Sequence, residues 1–249
     1  MKKRAIILAA TASLLAGSAL AGAMGPSAPS NDWRFVGTLS AGPAWASGGK
    51  TQTFYLAPEV EKTYAADKST HAFVDGELFL GMQRQINDKL QGQLGVAIAA
   101  TNFTRVTGTI WDDADPVFNN YTYNYKIRHN HLAIKGKLLA DVGYMVTPWV
   151  SGSLGVGINR ADGFNNNPTI FEAVPNANFA GNSETAFTYT IGAGVQKAID
   201  EHFSVGAGYE FADWGKSQLH RAAGQTLNPG LKLSHLYTNG VLFNLTYLA

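Results

Sequence analysis

The feature that most limits what this chain can become is a strict two-residue alternation, repeated in eight separate segments. In the clearest, Leu90, Leu94, Val96 and Ile98 fall on one face and Gln91, Gln93, Gly95, Ala97 and Ala99 on the other. Successive side chains of a β-strand point to opposite sides, so a period of two predicts strands. The second face is the informative one. A half-buried sheet in water places solvated charges there, whereas this chain places mostly Gly, Ala, Ser, Thr and Gln. Small polar residues suit a crowded interior and leave the apolar residues facing lipid, the inside-out arrangement of a transmembrane β-barrel.

The N-terminus fits that compartment. Lys2, Lys3 and Arg4 form a basic start, Ala5–Leu20 an apolar run, and Ala19-Leu20-Ala21 or Ala21-Gly22-Ala23 a small-residue cleavage site. This pattern predicts a signal peptide over 1–23, cut near 21–23, and a flexible Gly/Pro/Ser/Asn lead-in over 24–32. The barrel is then expected over 33–249 as one domain. Without Lys2, Lys3 and Arg4, the 19 basic residues fall to 16 against 18 acidic ones, a net charge near −2. That is no nucleic-acid footprint. The chain has no Cys, which excludes a disulfide scaffold and thiol chemistry. Beyond the signal segment no apolar run approaches the ~20 residues of a spanning helix.

The eight strands are expected near 33–45, 72–85, 89–103, 126–144, 150–159, 185–197, 203–212 and 238–248. Short turns at 87–88, 146–148 and 200–202 alternate with long connections at 46–71, 104–125, 160–184 and 213–237. The fold class is therefore all-β: an eight-stranded antiparallel transmembrane β-barrel with short periplasmic turns and long extracellular loops. The alternation of Tyr121, Tyr123 and Tyr125 suggests that strands three and four project above the membrane as a hairpin. Phe35, Tyr144, Phe203 and Tyr247 fall near the short-turn ends of the apolar face. Trp45, Phe187, Tyr209 and Phe211 fall near its long-loop ends. Two such bands predict an aromatic girdle at each lipid interface.

Gly208-Tyr209-Glu210-Phe211 late in strand seven and a last strand ending Phe243-Asn244-Leu245-Thr246-Tyr247 resemble the small outer-membrane β-barrel family of OmpA/OmpX-type and opacity-like porin-family proteins. The likeness spans nearly the whole chain after the signal segment. It implies a bacterial outer-membrane location, contact with outer-membrane lipid and lipopolysaccharide, and insertion by the barrel-assembly machinery. That machinery usually reads a terminal aromatic residue, and here Leu248 and Ala249 follow Tyr247.

Parity places Arg34, Asp75, Glu77, Lys135, Lys137, Asp141 and Glu210 in the lumen. Buried charges persist only when paired, and an eight-stranded barrel is just wide enough for side chains to fill. These seven residues are read as an ion-pair network, with Lys135 and Lys137 meeting Asp75, Glu77 or Glu210; a charged conduit is the alternative. His129 and His131 share a face and would supply half a metal site, but no third ligand stands at usable spacing. His202 and Ser204 resemble the His/Ser pair of barrel-borne lipid A deacylases only in residue type: both fall on the lumen side, away from lipid, and His202 lies in a periplasmic turn. No catalytic, cofactor or metal constellation emerges. Arg105, Lys126 and Arg128 lie where lipopolysaccharide phosphates would be. The favoured function is a non-enzymatic outer-membrane protein serving envelope structure and surface contact, with Trp111, Tyr121, Tyr123 and Trp214 offered on its loops. A narrow porin or channel for small solutes or hydrophobic molecules is the alternative, and a lipid-modifying barrel enzyme ranks behind both.

Overall fold

The computed structural model describes residues 32–47, 49–68 and 72–249. The expected signal segment and all of the lead-in but Asp32 lie outside them. Eight strands close a ring: β1 (Arg34–Ala46), β4 (Phe73–Asn87), β5 (Leu90–Asp112), β6 (Asn119–Ala140), β7 (Thr147–Pro168), β8 (Asn182–Ala198), β9 (Phe203–Asp213) and β12 (Tyr237–Leu248). Every neighbouring pair is antiparallel, and β1 returns to β12 with Leu39 opposite Leu245 and Thr38 opposite Thr246. At this seam a Cβ on Gly42 would stand 1.9 Å from the Val241 carbonyl oxygen, so glycine is what permits the close approach.

Side-chain direction follows the alternation. Leu39, Leu80, Val96, Leu132, Ile134, Leu154, Ile191 and Phe243 point outward and are exposed, while Thr38, Ser40, Gln93, Ser153, Thr188 and Thr190 are buried inside. The apolar band has the right height. Phe35 and Trp45 are ten residues apart on β1; at ~3.4 Å per residue and a tilt near 40° they are roughly 26 Å apart along the membrane normal, against an expected ~25 Å.

The three short turns share one device. Asn87 accepts the Lys89 and Leu90 amides, Asp141 accepts that of Gly143, and Asp200 accepts those of His202 and Phe203, all at 2.7–2.9 Å. Side-chain capture of nearby amides stabilises tight reversals. The middle turn occupies 141–146 and not the expected 146–148, because Thr147 and Pro148 already pair with Gln196 and Val195.

The largest departure lies above the membrane. The strands expected to end at 103 and 159 run on to Asp112 and Pro168, and the one expected to begin at 126 begins at Asn119. The projecting hairpin is therefore present and is joined by β7. The first long connection folds as β2 (Gln52–Ala57) and β3 (Val60–Ala66), with β3 pairing along upper β5. The last connection carries the short β10 (Ser217–Gln218) and β11 (Lys232–Leu233) and straps β2 to the segment before β8. The Thr226 and Leu227 amides reach the Leu56 carbonyl at 3.0 Å, and the His220 amide reaches that of Ala180 at 2.9 Å. Inside this upper cylinder Tyr64, Tyr123, Tyr125, Phe164, Phe179, Ile110 and Leu231 form a hydrophobic core. Tyr121, Tyr123 and Trp214, expected on display, are buried in it, and Trp111 is half-buried.

A closed ring shields its backbone and resists detergent. Unheated, membrane-inserted protein should therefore migrate differently from boiled protein on an SDS gel. Identical mobility of inserted protein would show that β1 and β12 do not close the wall.

Candidate functional site

The lumen is filled in layers. At the periplasmic end Gln83, Gln91 and Gln93 form a hydrogen-bonded chain at 3.0 and 2.7 Å. Gln83 and Gln91 border a vestibule of about 210 Å3 that reaches Arg34, Gln196 and Thr246. Above it Trp149 crosses the interior. A Cβ on Gly208 would stand 2.4 Å from its ring, so glycine there clears the space for the indole. Lys137 lies 4.6 Å from the Trp149 ring centre and donates to the Gln196 amide oxygen at 2.8 Å. The next layer is ionic. Lys135 Nζ sits 2.7 Å from Glu77 and 2.9 Å from Glu210, all three buried, and Asp75 is buried close by. A cavity of about 30 Å3 lies between these layers, room for about one water.

The seven expected lumen charges therefore divide. The structure brings Glu77, Lys135 and Glu210 into contact and leaves Asp75 buried beside them, its Oδ1 without a hydrogen-bond partner among the described residues. It turns Lys137 toward Gln196 and Trp149 instead of a carboxylate. Arg34 and Asp141 are corrections: both are exposed, Arg34 bonding the Ala249 carbonyl at 2.8 Å and Asp141 capping its turn. Parity misassigns them because each lies at the rim, where an inward direction no longer means an enclosed lumen.

A stopper sits above the charges. Trp214 packs on His129 and His131 with ring centres 4.1 and 4.7 Å away. His129 Nδ1 meets Asn159 Oδ1 at 2.7 Å, and the Asn159 amide nitrogen donates to the Trp214 and Lys216 carbonyls at 2.6 and 2.8 Å. The two imidazoles are thus engaged by each other, Asn159 and Trp214. Among the described residues no group of three or more His, Asp or Glu converges on a metal position. Sequence reading missed Trp149, Asn159 and Gln196. Asn159 alone left a signal: it is a long polar residue on a face otherwise built from Gly and Ser.

The outer surface holds the girdle. Phe203 and Tyr247 meet at 5.3 Å near the periplasmic rim, with Phe35 exposed at the same end and Tyr144 in its turn. At the upper rim Trp45, Phe187 and Tyr209 are exposed, and half-buried Phe211 packs against Tyr237 at 5.8 Å. Next to this upper belt Asp213 holds His235 Nδ1 at 2.7 Å. Such a pair orients an imidazole, but among the described residues no hydroxyl bonds to His235. His202 and Ser204 are likewise not in hydrogen-bond contact; His202 packs on Tyr247, ring centres 6.0 Å apart.

Burial pushes the phenols of Tyr64, Tyr123 and Tyr125 in the upper core well above their ordinary range, Asp112 adding to the shift at Tyr64 and Tyr125 to that at Tyr123. A raised folded-state value means that the neutral phenol holds the cap together below the ordinary tyrosine pKa of about 10. That contribution falls as pH rises beyond it, because the unfolded chain ionises first. A tyrosinate absorbance titration should show a late-titrating class containing these three; all ten tyrosines titrating together near pH 10 would contradict the packed cap.

Lys135→Met strands Glu77 and Glu210 and should cost about 3–5 kcal/mol in urea unfolding within lipid. Lys137→Met, which strands no contacting carboxylate, should cost clearly less. Adding Glu77→Gln and Glu210→Gln to Lys135→Met should recover much of the loss. Equal behaviour of the two lysine variants would show that the contacts at Lys135 are not what holds this layer.

No family model and no curated protein matches the chain. Solved structures do. The outer-membrane protease OmpT of Escherichia coli aligns over 88% of this chain and 98% of its own, with TM-score 0.50 and 8% identity. Neisserial surface protein A aligns over 86% and 96%, with TM-score 0.45 and 14% identity. OprG of Pseudomonas aeruginosa aligns over 86% and 96%, with TM-score 0.44 and 13% identity. At such identities the likeness concerns fold, and the proteolysis named for OmpT does not transfer. With its closed ring, lipid-matched outer band and paired aromatic rims, this chain has the fold of the small outer-membrane β-barrels.

Proposed function

We propose that this protein is a non-enzymatic barrel that keeps its lumen shut and holds a rigid extracellular tower for contact at the cell surface. The observation that carries the reading is the tip of that tower. Phe171 is 98% exposed, Val117 81% and Val174 76%, with Phe118 and Ile170 beside them, while the layers beneath are packed. The tip is ordered by the chain around it. Tyr121 OH donates to the Val174 carbonyl at 3.1 Å, and the Thr169 amide bonds the Asn120 carbonyl at 2.8 Å. Exposed apolar clusters of this kind mark contact surfaces. Asp113, Asp115 and Glu172 border it, and residues 106–125 and 161–196 contain no Lys or Arg. The surface thus suits a partner that is apolar at its centre and basic at its edge.

The packed interior supports the first half of the reading. Trp149, the Lys135 cluster and Trp214 follow one another along the axis and obstruct the bore. Cells displaying the protein should bind an epithelial monolayer, and Phe171→Asp with Val117→Asp should lower that binding about tenfold while the gel mobility of the folded barrel is retained. Unchanged adhesion would remove the tip from the function. A steady single-channel conductance that survives loop shortening and vanishes on lumen substitution would replace this reading with a narrow porin.

A further inference from the structure

We infer that the outer wall of the tower, on β5, β6 and β7, binds a neutral oligosaccharide, with Trp111 as the surface on which a sugar ring stacks. Register assembles this face in rows. Thr107 on β5, Asn124 on β6 and Asn165 on β7 stand opposite one another in the lower row, and Thr109, Thr122 and Asn167 in the row above. The residues between them, Val106, Ile110, Tyr121, Tyr123 and Phe164, point into the tower core, so both rows point outward to water. Trp111 lies next above Thr109 on the same side. Its indole Nε1 donates to the Thr109 hydroxyl at 3.2 Å, which holds the half-buried ring against the wall.

Two features set this face apart from an ordinary solvated sheet. None of its side chains ionises, although solvated surfaces usually intersperse Lys, Arg, Glu and Asp. It is also rich in Asn, which strands disfavour. Asn165, Asn166 and Asn167 are consecutive on β7. Asn166 turns inward and is compensated there: its amide nitrogen donates to the Asn176 carbonyl and to Asn178 Oδ1, and its own Oδ1 accepts the Asn176 amide, all at 2.9 Å. The outward Asn124, Asn165 and Asn167 gain nothing comparable. Among the described residues their side chains, and that of Thr122, have no hydrogen-bond partner. A local preference broken without internal compensation marks a position whose use lies outside the chain.

The chemistry of the face selects the ligand class. Amides and hydroxyls both donate and accept, as sugar hydroxyls do. An indole offers a flat apolar surface for the C–H side of a pyranose. The strands fix these groups on a grid, ~4.8 Å between strands and ~7 Å between successive outward residues, so little side-chain ordering is left to oppose binding. From Thr107 to Trp111 the grid runs ~14 Å, enough for a short oligosaccharide. Charge favours a neutral sugar. Asp67 borders the lower row and accepts from the Thr107 hydroxyl, so an acidic sugar would meet a like charge. The cations Arg105 and Lys126 belong to the next position down the wall, outside the grid. The inference concerns the side of the tower and is independent of the apolar tip.

The test uses the full chain refolded in phosphatidylcholine nanodiscs and fluorescently labelled maltohexaose, mannohexaose and galactohexaose, with a heparin hexasaccharide for comparison. Fluorescence anisotropy should show at least one neutral sugar bound more tightly than the heparin fragment, with little dependence on salt. Trp111→Ala should weaken that binding about tenfold, the upper range for one aromatic contact. Asn165→Asp with Asn167→Asp should weaken it as well, and serves if Trp111→Ala does not show the folded gel mobility. Phe171→Asp at the tip should leave it unchanged. Folded protein that retains none of the neutral sugars, or whose Trp111 and Asn variants bind as wild type does, would overturn the site. Tighter binding of the heparin fragment would move the contact down to the cations, and loss of binding in Phe171→Asp would move it to the tip; either would overturn the inference. Absent sugar binding alongside tip-dependent adhesion would sink this site and leave the proposed function standing.

Discussion

Backbone hydrogen bonding in a solvent that offers none is the constraint on which the rest depends. In lipid an open sheet edge leaves a row of N–H and C=O groups unsatisfied at several kcal/mol each. The pairing of β1 with β12 removes that edge. Closure at eight strands then sets the bore, and a bore of that width must be filled by side chains. Trp149 against Gly208, and Lys135 between Glu77 and Glu210, are the form that filling takes here. The Lys135, Glu77 and Glu210 charges are tolerable because each has a partner within hydrogen-bond reach, which offsets its desolvation.

The same wall meets two solvents, and its faces respond to each. On β6 the apolar residues point outward at Leu132 and Ile134 and inward at Ile127, Tyr125, Tyr123 and Tyr121, with no break in alternation. The crossover lies between Ile127 and Leu132, with His129 and His131 inside it. Below it the solvent is lipid, so the apolar face turns out; above it the solvent is water, so the apolar face turns in. β7 makes the corresponding change through Gly163, whose φ of +66° accommodates an irregularity that resets which residues face inward. The upper cylinder is therefore a water-soluble β-structure with its own core, built on a membrane-spanning base.

This division of labour leaves the accessible side chains outside the bore. The lumen is filled by packed side chains: Lys135 is committed to Glu77 and Glu210, Lys137 to Gln196 and Trp149, and the two histidines to each other, Asn159 and Trp214. The accessible chemistry lies outside: amide and hydroxyl side chains on the tower wall, and apolar side chains at the tip. Both are held on paired strands or on segments hydrogen-bonded to them, so both are presented with fixed geometry.

The membrane-spanning half was legible in the amino-acid sequence, because period-two alternation with small polar residues on one face has few other physical solutions. Strand number, antiparallel order, the outward aliphatic band and the inward direction of Glu77, Lys135 and Glu210 all follow from it. The rim residues Arg34 and Asp141 escaped, since parity gives direction but not depth. The extracellular half was not legible in the same way. Its strands reverse the meaning of the two faces, so an alternation that places apolar residues toward lipid below places them toward the core above. Contacts such as Trp214 on His129, or Thr226 and Leu227 on Leu56, join residues distant in sequence and carry no local signal. Local alternation encodes which way a side chain points; only the closed tertiary structure decides what it meets there, because that depends on the solvent at each height and on chain segments brought in from elsewhere.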